Sequence, residues 1–510
     1  MLSKILSFGL DGVVGYEAVL ETDINAGLPA MDIVGLVGPS VKEARERVRS
    51  ALKNSGFQYP VKKITVNIAP GDIKKDASCF DLPIAVGILA ASEQLAGGRY
   101  GEYIIIGELS LDGGIRRVNG VMPMLISALQ SGFKKFIIPR DNANEASFIE
   151  GLEIYALETL SDVCDFLNGT GGFKPVEYCS YGNVLRHTRA DYDFADIKGQ
   201  AQAKRAVEIA VAGGHNILMI GPPGSGKTLI AKSIPGIMPS MTFEEAIEVT
   251  KIHSIAGILN SDGIVTARPF RSPHHTATTV ALIGGGTKSK PGEISLAHNG
   301  VLFLDEMPEY AHYTLETLRQ PLEDKTVSVA RAMRTVVYPS DIMLVASMNP
   351  CPCGNFGSKT QKCSCSAQAI HRYLAKLSGP LLDRIDLHVE VDGVAFEEMY
   401  DGKKAESSED VKRRVERVRA LQLKRFENDP VYTNSAMGNR QLAEYCKLDQ
   451  TSERLLEAAF KRLHLTARAL TRILKVARTI ADLDGAADIN NDHLAEAIQY
   501  RSLDRKYRLI

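Results

Sequence analysis

A glycine-rich segment, GPPGSGKT, runs from Gly221 to Thr228 and contains the residue types that bind phosphate. The apolar stretch NILMI precedes it and the helix-like stretch LIAKSI follows it, which is the context that the G-x-x-x-x-G-K-S/T pattern requires. Gly224 and Gly226 allow successive backbone N–H groups to point at phosphate oxygens, at a helix N-terminus whose partial charge is positive. Lys227 would contact the terminal phosphates, and Thr228 would bind Mg2+. The residues predicted to bind ATP are therefore Gly221, Pro222, Pro223, Gly224, Ser225, Gly226, Lys227 and Thr228.

Two carboxylates end a second apolar stretch, GVLFLDE. A strand that places Asp305 and Glu306 at its carboxyl end, beside a phosphate loop, can hold Mg2+ and an attacking water for phosphoryl transfer. We predict that Asp305 binds the metal and that Glu306 activates the water. An apolar strand followed by Asp-Glu is common by itself, so the prediction depends on the phosphate loop.

Four of the eight cysteines are crowded into one short segment. In a reducing cytosol, clustered cysteines are more often metal ligands than disulfides. Two Cys-x-Cys pairs supply four thiolates, enough for a closed tetrahedral zinc site that would order the loop around it. Because the commoner zinc spacing is Cys-x-x-Cys, free or redox-labile thiols and a disulfide remain alternatives. The clustered residues are Cys351, Cys353, Cys363 and Cys365, whereas Cys79, Cys164, Cys179 and Cys446 are predicted to be small buried hydrophobic residues.

The bulk composition limits the classes of protein to consider. A chain of 510 residues with 45% apolar content can build several cores, and about one domain per 100–200 residues suggests three. The formal net charge of -1 excludes a whole-chain positive field for nucleic acid or acidic membranes, so any polyanion site must be local. The sequence lacks a secretory signal pattern and any run of about 18 apolar residues. It therefore predicts a cytoplasmic protein with no membrane partner.

Strand and helix patterns divide the chain into four parts. Residues 1–167 alternate between strands such as KKITVNIAP and amphipathic helices, which indicates an α+β domain. Residues 168–188 are rich in glycine and polar residues and are predicted to be a linker. Residues 189–393 contain the apolar strands NILMI, VLFLD and IMLVAS, typical of a parallel sheet covered on both faces. Residues 394–510 have helical periodicity only.

These motifs resemble those of the AAA+ ATPases of the magnesium-chelatase type, within them the ComM/YifB competence-related family. The resemblance implies an α/β fold class, with a P-loop AAA+ module whose parallel sheet has helices on both faces, followed by a C-terminal helical lid. The segments that carry it are DIKGQ, the P-loop, RPFRSPHHT, PGEISLAHNGVLFLDE, ASMNPCPCG, GPLLDRIDLHV and ARALTRILKVARTIADL.

The resemblance also implies roles for three further residues. Asn349 is similar to sensor 1, a polar group that orients the attacking water. Arg384 is similar to the arginine finger, which reaches the nucleotide of the neighbouring subunit. Arg468 is similar to sensor 2, on a lid helix. An arginine that acts on a neighbour requires a ring, so a homo-hexamer is implied. An ordinary salt bridge is the alternative for both arginines.

The segment VSVARAMRTVVYP alternates like two short strands around the tip ARAM. It resembles the hairpin that AAA+ DNA motors project into the ring pore. Arg331 and Arg334 would then contact a phosphate backbone independently of base sequence. A tip that is merely solvated is the alternative.

The N-terminal domain resembles the proteolytic domain of Lon. The segment KKDASCFDLP lacks the Gly-Pro-Ser order that provides the Lon serine, and Met122 stands at the place of the Lon lysine. A thioether cannot take a proton from a serine. We therefore predict a domain without peptidase chemistry that binds a protein partner or assists ring assembly, in which Ser78 is structural.

Together these features predict an ATP-hydrolysing hexameric motor acting on single-stranded or branched DNA, as a helicase in branch migration during natural transformation or recombination. The basic stretch VKRRVERVRALQLKR fits a polyanion partner, although a solvated lid helix would look the same. Two other functions remain open. One is a magnesium-chelatase-like motor that remodels a protein, and the other is a nucleotide-dependent assembly scaffold.

Overall fold

The N-terminal part of the chain forms a mixed sheet packed against helices. The structure, a computed structural model, describes residues 2–75, 77–95, 98–184, 192–286, 289–330, 335–357, 361–393, 406–463 and 465–501. The elements of this part are β1 (Leu2–Asp11), β2 (Val14–Asn25), β3 (Ala30–Val34), α1 (Pro39–Asn54), β4 (Lys63–Ala69), α2 (Asp81–Ala91), β5 (Ile104–Ile105), β6 (Glu108–Leu109), β7 (Ile115–Arg116), α3 (Val121–Gln130), β8 (Lys135–Pro139), α4 (Ala143–Ala146), β9 (Glu153–Leu157) and α5 (Leu160–Leu167).

Sequence periodicity accounts for these elements. In β4 the side chains of Ile64, Val66 and Ile68 are fully buried, as the period of two predicts. Helix α1 has Pro39 in its first turn and buries one apolar stripe that includes Val48. The main sheet has the strand order β3-β4-β2-β1-β5-β8-β9, with β1, β2 and β4 antiparallel and the other pairs parallel.

The middle of the chain forms the parallel sheet that the sequence predicts. Its five strands have the order β11-β14-β17-β10-β18, and every neighbouring pair is parallel. The carboxyl ends of β10, β14 and β17 therefore share one edge, where ligands bind in sheets of this kind. The elements are α6 (Ala201–Gly213), β10 (Ile217–Ile220), α7 (Lys227–Ile237), α8 (Phe243–Ala256), β11 (Phe270–Arg271), α9 (Thr279–Ile283), β12 (Gly284–Gly285), β13 (Lys290–Pro291), α10 (Glu293–Leu296), β14 (Val301–Leu304), α11 (His312–Glu316), α12 (Pro321–Asp324), β15 (Thr326–Ala330), β16 (Thr335–Pro339), β17 (Met343–Met348), α13 (Ala367–Leu374), α14 (Gly379–Leu382) and β18 (Leu387–Glu390).

The C-terminal region is helical, as predicted, and shares a core with one face of the parallel sheet. Val415, Ile473 and Leu494 of this region are buried in the same hydrophobic cluster as Ile217 and Val345 of the sheet. The lid is therefore packed on the sheet by apolar contacts. Its helices are α15 (Ser408–Arg425), α16 (Asn439–Tyr445), α17 (Gln450–Leu463), α18 (Ala467–Leu483) and α19 (Asn491–Gln499).

A buried ion pair also joins the lid to the sheet. Asp386, just before β18, pairs with Arg472 of α18 and accepts a hydrogen bond from the backbone N–H of Asn216 at 3.0 Å. Burial raises the pKa of Asp386, but the charge of Arg472 and the nearby His215 ring, whose Nδ1 lies 3.5 Å from Oδ2, hold it below its usual range. The carboxylate is thus charged in the fold and stabilises the lid only with its partners present.

We expect Asp386→Ala to lower the free energy of unfolding by about 1–3 kcal/mol, because it leaves the buried N–H of Asn216 without its acceptor and the partly buried Arg472 without its ion-pair partner. A group whose pKa is depressed by folding stabilises the fold above its unfolded pKa, about 3.9, and loses that effect as the pH falls. The difference from wild type should therefore be full at neutral pH and shrink below pH about 4. Denaturant titrations at several pH values, with the exposed Asp488→Ala as control, would measure it. An equal effect of both variants would contradict the assignment.

The N-terminal domain contacts the middle part of the chain along α8. Ser254 Oγ of α8 donates to Glu145 Oε2 at 2.7 Å and accepts from the N–H of Gly120 at 3.0 Å. Residues 169–180 of the predicted linker contain no helix or strand, and Tyr181 next to them is buried with its ring 5.6 Å from that of Phe243. Tyr181 shares a buried hydrophobic cluster with Phe148 of the N-terminal domain and Val249 of α8, so it lies between the two parts.

No helix among the described residues is both long and apolar enough to cross a membrane. Of the scattered cysteines, Cys79, Cys164 and Cys446 are buried as predicted, whereas Cys179 is only half-buried.

Candidate active site

The glycine-rich segment forms a tight loop between β10 and α7. Gly224 and Gly226 have φ angles of 76° and 91°, which lie in the left-handed region that favours glycine. At Gly221 a Cβ would lie 2.1 Å from the carbonyl oxygen of Val391, so the end of β18 also requires glycine there. Helix α7 begins at Lys227, and its N-terminus points into the loop, which favours phosphate.

Lys227 lies inside this loop. Its Nζ donates to the carbonyl oxygens of Gly221 and Pro222 at 2.8 Å and to Asn349 Oδ1 at 3.3 Å. Burial lowers the pKa of Lys227, while the charge of Asp305 opposes the shift. The structure thus brings together the predicted phosphate-binding lysine and the predicted sensor 1, which are far apart in sequence.

Asp305 lies beside the first turn of α7. Thr228 Oγ1 donates to Asp305 Oδ2 at 2.9 Å, which places a hydroxyl and a carboxylate side by side, the pair that holds Mg2+ in P-loop enzymes. The other oxygen, Oδ1, accepts from Ser347 Oγ and from the N–H of Glu306. Sequence reasoning missed Ser347, although it lies two positions before Asn349, the spacing that places both on one side of an extended chain.

Glu306 has the backbone conformation of a residue held in place by its surroundings. Its φ of 50° is left-handed, which is rare for a residue other than glycine and frequent at functional sites. Its side chain is 56% exposed, and Oε2 lies 4.0 Å from His275 Nδ1. The carboxylate is therefore open to water, as a general base must be. His275 belongs to the segment RPFRSPHHT, to which we assigned no role from the sequence.

Arg384 and Arg468 meet at Glu323, away from the P-loop. The buried Arg384 pairs with Glu323 Oε2, and Arg468 Nη2 lies 3.5 Å from Glu323 Oε1. Both arginines line a cavity of about 710 Å³ whose walls also include Asn216. Among the described residues that line this cavity, none belongs to the P-loop.

These two clusters lie at opposite edges of the parallel sheet. Asn216 comes directly before β10 and Gly221 directly after it, so the length of β10, about 13 Å, separates the arginine cavity from the P-loop. The structure therefore does not bring Arg384 or Arg468 to the P-loop of their own chain.

The four clustered cysteines come together in space. Their Sγ atoms all lie within 4.8 Å of one another, and none is in a disulfide. The cluster can hold a metal ion.

The hairpin predicted before sensor 1 is present. Strands β15 and β16 pair antiparallel from Thr326–Pro339 to Ala330–Thr335. Arg331 and Arg334 lie outside the described residues. Val336 pairs with Val329 close to the tip end of the hairpin, and a Cβ on Gly12 of the N-terminal domain would lie 2.6 Å from Val336 Cγ1, so the two parts are in close contact there.

The basic stretch on α15 is engaged within the chain, which removes it as support for a DNA-binding surface. Four of its arginines donate to groups of this chain: Arg414 to Glu208, Arg417 to the carbonyl of Leu483, Arg419 to the carbonyl of Tyr432 and Arg425 to Asp482. Each of these four guanidinium groups is therefore hydrogen-bonded within the chain, two to carboxylates and two to carbonyl oxygens.

The positions related to the Lon catalytic pair carry no comparable chemistry. Met122 is fully buried, and Ser78 Oγ is paired with Glu108. The neighbouring Cys79 is also fully buried, and burial raises the pKa of its thiol, which keeps it protonated and unreactive.

Comparison with known proteins finds relatives that match nearly the whole chain. The family described as magnesium chelatase, subunit ChlI, matches residues 193–399. The family described as subunit ChlI of Mg-chelatase matches residues 20–142, and the family described as magnesium chelatase, subunit ChlI C-terminal, matches residues 405–501. The competence protein ComM of Haemophilus influenzae is 44% identical over 506 residues, 99% of this chain and 98% of that protein. The uncharacterized protein YifB of Escherichia coli is 43% identical over 499 residues, 97% and 96% respectively.

The N-terminal domain has a more distant relative. Lon protease 2 of Bacillus subtilis is 33% identical over 125 residues, 24% of this chain and 22% of the protease. The fold is therefore a P-loop AAA+ module with a helical lid, preceded by a Lon-protease-like domain. These matches and the site geometry show that the chain belongs to the ComM/YifB family of magnesium-chelatase-type AAA+ ATPases.

Proposed function

We propose that the protein is an ATP-hydrolysing hexameric ring that moves along DNA, single-stranded or branched, in the cytoplasm. One observation supports the proposed ring. Arg384 and Arg468 lie at the edge of the sheet opposite to the P-loop. A heterologous contact between copies, in which one copy's arginine edge meets the next copy's P-loop edge, completes the site and closes into a ring.

The residues of the P-loop edge fit ATP with Mg2+, since the donor set is a phosphate loop, a lysine and a hydroxyl–carboxylate pair. Bound Mg2+ neutralises charge on the phosphates. Lys227 would hold the terminal phosphates, and Thr228 with Asp305 would hold the metal. Glu306 would take a proton from the attacking water, which Asn349 orients.

Residues of the neighbouring subunit would complete this chemistry. Arg384 would stabilise the charge that develops on the transferred phosphoryl group, and Arg468 would contact the same nucleotide. Because Arg384 is paired with Glu323 inside its own chain, assembly would have to release it from that carboxylate. Completion of each ATP site would therefore require the Arg384–Glu323 ion pair to break at the boundary between subunits.

DNA is the polymer along which the ring is proposed to move. The competence protein ComM is the named relative that points to it, and the hairpin of β15 and β16 is the local candidate for contact. Helicase and branch-migration activity in natural transformation or recombination would follow from a ring that moves along one strand. The N-terminal domain contacts both α8 and Val336 near the tip end of this hairpin, so we assign it a role in partner binding or ring assembly.

DNA should stimulate ATP hydrolysis through the hairpin tip. We expect Arg331→Ala with Arg334→Ala to abolish the stimulation and keep the basal rate, because these side chains would contact phosphates and not the nucleotide. The slope of log affinity for single-stranded DNA against log salt concentration should fall by about 1.4, which is about 0.7 for each phosphate that is no longer neutralised. Arg413→Ala, an exposed lid residue, is the control and should change neither.

A rate that no DNA structure changes would contradict the DNA motor. The match to magnesium-chelatase subunits favours a protein-remodelling ATPase as the second candidate, and a nucleotide-dependent scaffold is the third. Stimulation by a protein partner in place of DNA would support the former.

We also propose that Cys351, Cys353, Cys363 and Cys365 hold one structural Zn2+ ion. The four-thiolate set leaves no open coordination position, so a catalytic role for the ion is not proposed.

A further inference from the structure

The cysteine loop, residues 351–365, lies against the nucleotide site. It begins two residues after Asn349, and Cys351 at its start is fully buried. Gly354 has a φ of 81°, and a Cβ there would lie 2.4 Å from Pro223 Cδ. The loop therefore contacts the P-loop directly, at the residue that precedes Gly224.

The sulfur atoms in this loop have the spacing of a metal site. The Sγ of Cys351 lies 3.4 Å from that of Cys353 and 3.7 Å from that of Cys363, and the latter two are 3.6 Å apart. Thiolates about 2.3 Å from a tetrahedral zinc ion are about 3.8 Å apart. A disulfide would need about 2.0 Å. The geometry thus favours an ion over a disulfide.

Backbone donors around the sulfurs support the same conclusion. The N–H of Phe356 points at Cys351 Sγ at 3.3 Å, and the N–H of Cys365 points at Cys363 Sγ at 3.4 Å. Such outer hydrogen bonds orient metal-bound thiolates and stabilise their charge. The sulfur atoms therefore lie close to one another and also accept hydrogen bonds from the surrounding backbone.

The described residues of the loop, 351–357 and 361–365, form no helix or strand. A loop of this kind keeps one conformation only if something else holds it, and metal ligation supplies that. Its two ends are fixed at β17 on one side and at α13, capped by Ser366, on the other. The ion would therefore determine where Gly354 lies relative to Pro223.

We propose that Zn2+ in the cysteine loop acts as a latch on the nucleotide pocket. The bound ion holds Gly354 against Pro223 and keeps Asn349 beside Lys227, and loss of the ion loosens both contacts and weakens nucleotide binding. This inference rests on the proposed ATP site and is independent of the DNA-motor assignment.

The test measures zinc content and the affinity for a fluorescent ATP analogue on the purified full-length protein. We expect one zinc per chain in wild type. Cys363→Ser with Cys365→Ser should lose the zinc and bind the analogue at least about tenfold more weakly. Cys179→Ser, which changes a half-buried cysteine elsewhere, should alter neither.

Two further measurements separate the latch from misfolding. Chelation of zinc from wild type should weaken binding, and added zinc should restore it. Gly354→Ala should keep the zinc and still weaken binding, because its Cβ would collide with Pro223. Purified protein without zinc, or unchanged affinity after zinc removal, would overturn the proposal. If wild type with zinc binds no nucleotide, the proposed ATP site fails instead.

Discussion

Glu306→Gln should bind ATP and assemble normally, yet lose hydrolysis by about 100- to 10,000-fold, the contribution of a positioned general base. The amide is the same size as the carboxylate but cannot accept the proton of the attacking water. The backbone N–H at this position would still donate to Asp305 Oδ1, so the arrangement that holds Mg2+ should remain intact. This variant should therefore keep its affinity for ATP and lose ATP hydrolysis.

Single-turnover hydrolysis, nucleotide affinity and sedimentation of the assembled protein together check this expectation. The control is Glu309→Gln, which changes a half-exposed carboxylate three residues on that is paired with Lys376. It should hydrolyse ATP at the wild-type rate. Normal turnover in Glu306→Gln would move the general base to another residue.

Arg384→Ala should reduce ATP turnover about 1,000- to 100,000-fold, the range for an arginine that stabilises charge on the transferred phosphoryl group. Nucleotide affinity should change little, because Arg384 lies a strand length away from the P-loop of its own chain. The loss should therefore be in the rate of hydrolysis and not in binding of ATP by the isolated chain.

The ion pair of Arg384 provides the matched control. Glu323→Gln removes the charge that holds Arg384 inside its own chain but leaves the guanidinium in place. If the pair is only structural, both variants should lose activity through instability. If the arginine acts on a neighbour, Glu323→Gln should keep its turnover, and thermal unfolding of both proteins would report any common structural defect.

Local motifs made much of the fold and of the P-loop edge predictable. The glycine-rich loop, Asp305 and Glu306 are contiguous with apolar strands, and parallel strands must present their carboxyl ends at one edge. The hairpin and the helical lid follow from periods of two and 3.6 residues. Proximity of Lys227 and Asn349 then follows from the strand order.

Contacts between distant segments were not predictable in this way. Nothing near Arg384 in sequence indicates that Glu323, 61 positions earlier, is its ion-pair partner. The basic stretch on α15 looked like a polyanion surface, because pairing partners such as Glu208 and Asp482 lie far away in the chain. Charge patterns predict that a helix face is polar, but they do not identify the groups that pair with its charged side chains.

The same limit applies to the cysteine loop and the linker. The sequence predicted a zinc site from the number of thiols, but the contact of Gly354 with Pro223 arises only when the loop packs on the sheet. Likewise, Tyr181 lies within residues 168–188, which were predicted to be a linker, and the structure buries it against α8. Composition identifies irregular segments but not the surfaces on which they lie.

ATP turnover of mixed subunits tests the central claim, that each hydrolysis site is built from two copies of the chain. Lys227→Ala and Arg384→Ala should each be inactive alone. Mixed in equal amounts before assembly, they should recover activity, since random order leaves about a quarter of the boundaries with an intact lysine facing an intact arginine. If the mixture stays as inactive as its components, or if wild type is fully active as a monomer, the shared site is contradicted.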